Sequence, residues 1–288
     1  MLPPACRSKL ENIFLALVID ADDRKSDGEE TGRTSYNKEV FAPLIKELNY
    51  LENKGVLCHT ELGEKVIYFV LTLVLGDNLG VHGILGFVEG FSANYPCSIC
   101  RASKEQTAIM TREDVTLLRN CENFAADVHT NDCKRTGIKE ECCFHVVDSY
   151  HVTENRNKDE MHDLSEGLSH YLTIPVLKHC IDSGYFSLDH LNTRLALFDY
   201  GPKDSSNIPP CIREGFHTKS KLKMTAAEIR SFVRLLGVIV GDLVPEVDKF
   251  GTCINSTGKL WKFYSPKTCR VIFQSIFQNL CMSITLSI

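Results

Sequence analysis

Two cysteines and an aspartate in the first hundred residues suit metal chemistry by type and spacing. Cys97 and Cys100 form a CxxC motif, which lets two thiolates reach one Zn²⁺ at about 2.3 Å. Single CxxC motifs also occur in redox sites and as core cysteines, and the lack of a thioredoxin-like pattern favours zinc. Asp77 follows an apolar stretch within the turn GDNLG. This placement is typical of carboxylates in metal-dependent phosphoryl transfer, and also of helix N-caps.

A second group of chemically capable residues lies in the sequence MHDLSEGLSH. His162, Glu166 and His170 are spaced by four, so a helix would place them along one side. On that side they could hold a metal, orient one another or face solvent. Further candidates nearby are His145, His151, Asp159 and Asp163.

The most basic stretch of the chain precedes an amphipathic helix. It contains Lys203, Arg213, Lys219, Lys221, Lys223 and Arg230. Lysines on a loop that enters a helix suit phosphate contacts, although runs of charge are most often plain solvated surface. We expect Lys219, Lys221 and Lys223 to be the DNA-binding residues.

Composition limits the classes of protein to which the chain can belong. Its 288 residues, 43% hydrophobic, are enough for one sizeable core or a core with a smaller domain. A net charge of -5 excludes coating of nucleic acid by charge alone. Thirteen cysteines without a signal-like N-terminus indicate a reducing compartment, nuclear or cytoplasmic. No apolar stretch reaches the ~18 residues of a membrane span, so we expect no membrane partner.

Hydrophobic periodicity predicts the elements that position these residues in the first part of the chain. Apolar runs predict strands, and spacings of three and four predict helices. A glycine at position 55 suits the C-cap of the first helix. The predicted strands are Ile13–Asp20, Val56–Thr60 and Lys65–Leu75, and the predicted helices are Lys38–Lys54 and Leu79–Phe91.

The pattern in the remainder of the chain predicts an insertion, a helical region and a tail. The polar stretch after residue 102 predicts helix only at Arg112–Asn120, and helical character returns at Asp159–Leu172. After a loop at Gly201–Lys223, Thr225 and Glu228 form a capping box for a helix to about Leu243. We therefore divide the chain into residues 1–102, 103–158, 159–250 and a poorly defined tail, 251–288.

Several long, ordered motifs resemble animal transposases of the CACTA/En-Spm kind and, more distantly, other zinc-containing DDE recombinases. The likeness covers most of the chain and ends near Ser256. Its principal motifs are GDNLGVHGILGFVEGFSANYPCSICRA and DEMHDLSEG. The supporting segments are Leu2–Leu15, Leu191–Gly201 and Lys223–Pro245.

The resemblance implies an α/β fold: an incomplete RNase H-like core, a mainly helical or irregular zinc-containing insertion and a helical C-terminal part. In that family three carboxylates hold two Mg²⁺ or Mn²⁺ ions, which activate the nucleophile and stabilise the leaving oxygen. Asp77 matches the second carboxylate, and Glu166 is the best match for the third. Cys97 and Cys100 match structural zinc ligands, with His162 or His151 among those that would complete the site.

One departure from the family pattern bears on activity. The first carboxylate would lie on a strand upstream of the segment that begins at Leu2, and the acidic residues at 20, 22 and 23 lie in a loop. We therefore expect an N-terminally truncated transposase remnant, inactive alone, with DNA and a second copy of the chain as the partners to test. The alternative is a domesticated, non-catalytic DNA- or protein-binding module with a structural zinc. A free-standing zinc redox protein is a third interpretation and needs an exposed, acidic Cys97 thiol.

Overall fold

The computed structural model describes residues 15–19, 36–110, 112–156, 159–245 and 247–248. These residues form two compact units. The first contains the described residues up to 108 and those of 114–156. The second contains the described residues of 109–113 and those from 159 onwards. Each unit has its own hydrophobic core.

The first unit combines one long helix, a hairpin and several short helices. Short 3-10 turns lie at Val115–Leu117 and Cys143–Val146. The helices and strands are α1 (Tyr36–Asn53), β1 (Val56–Thr60), β2 (Gly63–Ile67), α2 (Asn78–Ile84), α3 (Lys104–Ile109), α4 (Cys121–Thr130) and α5 (Cys133–Thr136).

Helix α1 forms because its apolar residues recur at helical spacing and meet an aromatic core. Phe41 and Ile45 are buried, and the Phe41 ring lies 5.3 Å from that of Phe144, centroid to centroid. The chain leaves the helix through Gly55, at φ +68°, where a Cβ atom would stand 2.7 Å from the Ile67 carbonyl oxygen. The predicted helix and its terminating glycine are confirmed.

The sheet of the described residues has two antiparallel strands, β1 and β2, paired from Val56 opposite Ile67 to Thr60 opposite Gly63. The prediction for β1 is confirmed. The predicted strand Lys65–Leu75 is wrong beyond Ile67, since side chains rather than a neighbouring strand satisfy the backbone there. Leu71 N donates to Ser149 Oγ at 3.0 Å, and Asn155 Nδ2 donates to the Thr72 carbonyl at 2.8 Å.

The other predicted strand, at 13–20, falls mostly outside the described residues, and its described part, 15–19, forms no strand. An RNase H-like sheet requires more strands than the hairpin provides. The fold class therefore stays a prediction.

Two predicted helices in the first unit are wrong in extent. Helix α2 ends at Ile84 because Gly86 adopts φ +82°, and Phe87 instead forms an isolated bridge with Ile138. The helix expected at 112–120 is replaced by a 3-10 turn. Asn120 at its end is the N-cap of α4, in a capping box with Asn123.

The second unit is helical among its described residues. A π-helical segment, Met161–Leu168, runs directly into α6 (Ser169–Asp182), which confirms helix at 159–172. The tail at 251–288 lies outside the described residues. The remaining elements are α7 (Leu188–Leu197), α8 (Gly201–Asp204), α9 (Ala226–Val240) and 3-10 turns at Phe216–Thr218 and Gly241–Leu243.

Helix α9 organises the core of the second unit. Its buried face is apolar at helical spacing and packs against α6 and α7. The predicted capping box is confirmed: Glu228 N donates to Thr225 Oγ1 at 3.3 Å, and Thr225 N donates to Glu228 Oε2 at 2.7 Å. None of the helices in the described ranges is both long and apolar enough to cross a membrane.

This cap generates a stability prediction. Thr225→Ala removes the hydroxyl that accepts from the first turn of α9, so we expect the free energy of unfolding to fall by about 1 kcal/mol. Urea denaturation followed by circular dichroism measures the change. Thr193→Ala is the matched control, because Thr193 is exposed within α7 and bonds only the carbonyl of Asp189, one turn earlier. Equal losses in the two variants would contradict the assigned role of the cap.

Candidate functional site

Asp77 is the N-cap of α2. Its Oδ1 accepts a hydrogen bond from Gly80 N at 2.6 Å, and the residue is exposed. The expected position just after a strand that ends at Leu75 is wrong, since β2 ends ten residues before Asp77, at Ile67. The helix-cap interpretation is confirmed, and the catalytic role of Asp77 stays a prediction.

The CxxC motif forms a tight turn in the first unit. Cys97 Sγ accepts from the backbone N–H groups of Ile99 and Cys100, both at 3.4 Å. Two backbone hydrogen bonds, Arg101 N to Leu117 O and Arg119 N to Ile99 O, hold the turn against the neighbouring segment. The hydrogen bond with Cys97 and burial raise the pKa of the Cys100 thiol. A turn that points N–H groups at a sulfur stabilises negative charge there, which fits a thiolate ligand.

The resemblance implies that these two thiols ligate a structural zinc ion. Among the described residues, no group of three or more His, Cys, Asp or Glu side chains is placed to hold a metal ion. His151 belongs to the first unit with the cysteines, whereas His162 belongs to the second. The zinc assignment and the identity of its histidines stay predictions.

Beneath the CxxC turn lies a buried ion pair that sequence reasoning missed. Arg119 is fully buried, and its Nη1 donates to Asp127 Oδ2 at 3.0 Å. Its Nε donates to the Cys97 carbonyl at 3.2 Å and its Nη2 to the Thr136 carbonyl at 2.7 Å. Arg101, whose side chain is 45% exposed, donates to the other carboxylate oxygen of Asp127 at 2.8 Å. The buried guanidinium therefore connects the CxxC turn to α4 and to the end of α5.

The sequence carries one faint signal for this pair. Asp127 falls three residues after Phe124, so both lie on the same face of α4, and both are buried. Charged residues in a polar stretch are normally exposed, so the sequence does not predict that Arg119 and Asp127 are buried.

His145 and His151 form a stacked pair beside Phe124, and both imidazole rings lie roughly perpendicular to its ring. Their ring centroids are 4.1 Å apart with 12° between the planes. His145 Nε2 accepts from Val152 N at 3.3 Å, and His151 Nδ1 lies 2.7 Å from Thr153 Oγ1. Burial and then the neighbouring His151 lower the pKa of His145 to about 4, so it is neutral near pH 7. A neutral ring nitrogen is the form that binds metals, although this nitrogen already accepts a hydrogen bond.

The acidic motif of the second unit lies in the π-helical segment. His162 Nδ1 lies 2.5 Å from Asp159 Oδ2, and Asp159 Oδ1 accepts from the backbone of Met161 and His162. Burial raises the pKa of Asp159, but its hydrogen bonds from His162 outweigh that effect and lower it. Asp159 thus fixes the start of the segment and orients the His162 ring.

His162, Glu166 and His170 do not share one exposed side of a helix. Glu166 and His170 are more buried than His162. A π-helix bonds residue i to i+5, so residues four apart do not stack as they do in an α-helix. Glu166 is half-buried, whereas His170 is 2% exposed. His170 Nδ1 accepts from Leu222 N at 3.1 Å. Burial and then the charge of Lys221 lower the pKa of His170, while Glu166 acts in the opposite direction.

The predicted DNA-binding lysines surround a cavity of about 570 Å³ in the second unit. Lys219, Lys221 and Lys223 are exposed at its rim together with Arg213. Glu214 is the one acidic residue of its lining. Leu222, between two of the lysines, is buried and anchored on His170, so the loop has a fixed path. The structure thus gathers the three predicted lysines and Arg213 at one concave surface.

In the comparisons with known proteins, no family model matches the chain, and no curated protein or solved structure is significantly similar to it. The family suggested by the sequence motifs therefore stays a prediction.

The buried ion pair generates the second prediction. Arg119→Met leaves the Asp127 carboxylate with only its half-exposed partner, so the free energy of unfolding should fall by about 3–5 kcal/mol. Arg101→Met, the matched control, removes the exposed partner of the same carboxylate and should cost less than about 1 kcal/mol. Urea denaturation measures both. Similar losses from the two variants would show that the buried arginine has no special role.

Proposed function

We propose that this chain is a transposase-derived protein: the remnant of a two-metal DNA strand cleavage and transfer core that binds DNA but is inactive alone. The motif resemblance over most of the chain supports the ancestry. The cationic rim supports DNA as the partner, because phosphate contacts supply most of the affinity of DNA-binding proteins. Free thiols among the described residues are consistent with a nuclear or cytoplasmic location.

The observation that carries the proposal is the hydrogen bond from Leu222 N to His170 Nδ1. It joins the lysine loop to the helix that continues the acidic MHDLSEG motif. Glu166 lies four residues before His170, and Lys221 directly precedes the Leu222 that bonds His170, so a candidate ion-binding carboxylate and a candidate phosphate-binding cation lie in one neighbourhood. Phosphoryl-transfer sites need these two charges close together, one for the metal and one for the strand.

We propose that the isolated chain is inactive because its carboxylates hold divalent ions poorly. Of the carboxylates that the resemblance implies, two are matched by Asp77 and Glu166. Asp77 already uses one oxygen to cap α2. A carboxylate engaged in this way offers less to a divalent ion, so the site would hold two ions less well.

Fluorescence anisotropy with labelled duplex DNA tests the binding. The triple variant K219Q/K221Q/K223Q should bind more weakly for every sequence, with a salt dependence shallower by about three charges. The control variant K46Q/K54Q/K65Q changes the net charge equally through exposed lysines of the first unit and should leave binding unchanged. Equal binding by the wild type and the loop variant would refute DNA contact at this loop.

The same preparation tests activity. With Mg²⁺ or Mn²⁺ the wild-type chain should neither nick nor join supercoiled DNA. Asp77→Asn is the informative variant, because asparagine still caps α2 but lacks the charge that a divalent ion needs. Cleavage by the wild type that Asp77→Asn abolishes would overturn the inactive part of the proposal.

A second candidate function is a domesticated, non-catalytic DNA- or protein-binding module with a structural zinc. The two N–H donors to Cys97 Sγ favour it, because they prepare a thiolate in a rigid turn. In this function the CxxC turn stabilises the fold, and Asp77 serves only as the N-cap of α2.

Metal analysis tests the zinc assignment. The purified chain should carry about one Zn²⁺, and Cys97→Ser should lose it, since the tetrahedral site loses a thiolate ligand. Cys133→Ser is the control, because Cys133 is an exposed cysteine of the same unit outside the CxxC turn. Equal zinc content in the two variants would reject Cys97 as a ligand.

A further inference from the structure

The cavity at the lysine loop has a floor whose chemistry differs from that of its rim. Apolar side chains of Ile212, Phe216, Leu222 and Met224 line it, and the first three belong to the buried core. The cationic side chains all stand exposed around this floor. Phosphate oxygens bind through charges and hydrogen-bond donors, so a purely phosphate-binding surface has no need of a concave apolar wall.

This combination fits one part of a nucleic acid in particular. In duplex DNA the flat, weakly polar faces of the bases are stacked inside, and only their edges and the phosphates are accessible. An unpaired nucleotide offers a base face and a phosphate together. Proteins that hold single strands pair a positively charged groove with apolar or aromatic surfaces for this reason.

We propose that the cavity binds an unpaired nucleotide of single-stranded DNA, with the base on the apolar floor and the neighbouring phosphates on the rim formed by Arg213, Lys219, Lys221 and Lys223. The volume of about 570 Å³ lies within the range of pockets that enclose small organic groups. This inference rests on the proposed DNA-binding function and adds the strand state that the site selects.

Two features of the loop favour this ligand. The anchor of Leu222 on His170 fixes the loop before binding, so little ordering is required when a strand arrives. The cavity lining carries four cations and one anion, Glu214. Its net positive charge therefore attracts negatively charged groups. A ligand must therefore combine an apolar face with more than one negative charge, which a nucleotide within a strand does.

Oligonucleotides of equal length and equal phosphate number test the inference with the full chain. A single strand with bases should bind at least about tenfold more tightly than an abasic strand, because stacking on the floor adds to the phosphate contacts. It should also bind more tightly than the duplex. Met224→Gln, which introduces a polar amide into the floor at similar volume, should lower the affinity for the base-bearing strand toward that for the abasic strand.

Alkylation of cysteines gives a readout that does not depend on substitution. Cys211 is exposed and lines the cavity, so a bound single strand should slow its reaction with N-ethylmaleimide. Cys133 is exposed in the first unit and serves as the internal control. Mass spectrometry of the digested protein gives both rates from one sample.

The possible outcomes distinguish the single-strand inference from the proposed DNA-binding function. Base-dependent binding with protection of Cys211 supports the inference. Duplex binding that equals single-strand binding, or equal affinity for abasic and base-bearing strands, overturns it while the proposed DNA-binding function stands. Failure of every oligonucleotide to bind overturns both. Tighter binding of an RNA strand of the same sequence, or protection of Cys211 by anionic lipid vesicles alone, overturns the assignment to DNA.

Discussion

The first unit depends on one buried cation. Arg119 has no exposed surface, yet it bonds a carboxylate and two carbonyls of three different segments, 8 to 22 residues away in the chain. Gly137 shows how tightly the surroundings fit, since a Cβ atom there would stand 2.2 Å from the Tyr95 carbonyl oxygen and 3.2 Å from Arg119 Nη2. The described part of this unit has only a two-stranded sheet. Hydrogen bonds from the buried guanidinium hold together irregular segments, including the CxxC turn, that lie outside that sheet.

The second unit uses a neutral group for the same purpose. His170 is buried and accepts from Leu222 N, so its Nδ1 must be unprotonated, which agrees with its lowered pKa. The group that positions the cationic loop is thereby kept uncharged, and it adds no repulsion to Lys221. A charged histidine would both lose the hydrogen bond and place a fifth cation beside the rim.

The sequence predicted what depends on local pattern and failed where tertiary contacts decide. The cap formed by Thr225 and Glu228 and the glycine after α1 follow from neighbouring residues alone. The apolar run to Leu75 looked like a strand, but strand formation needs a partner, and there Ser149 and Asn155 bond the backbone instead. The lysine cluster was visible in sequence. The apolar floor was not, because Ile212 and Leu222 are isolated apolar residues next to charged ones and form a common surface only in the folded loop.

The contrast between the whole chain and its cavity limits how binding can work. At physiological salt, screening limits both the repulsion of a polyanion by the net charge of -5 and its attraction by the rim to about 8 Å. In the proposed function, electrostatic steering of DNA from a distance is therefore weak, and affinity would arise after contact. A floor that buries a base would add free energy that depends little on salt, which the cationic rim alone would lack.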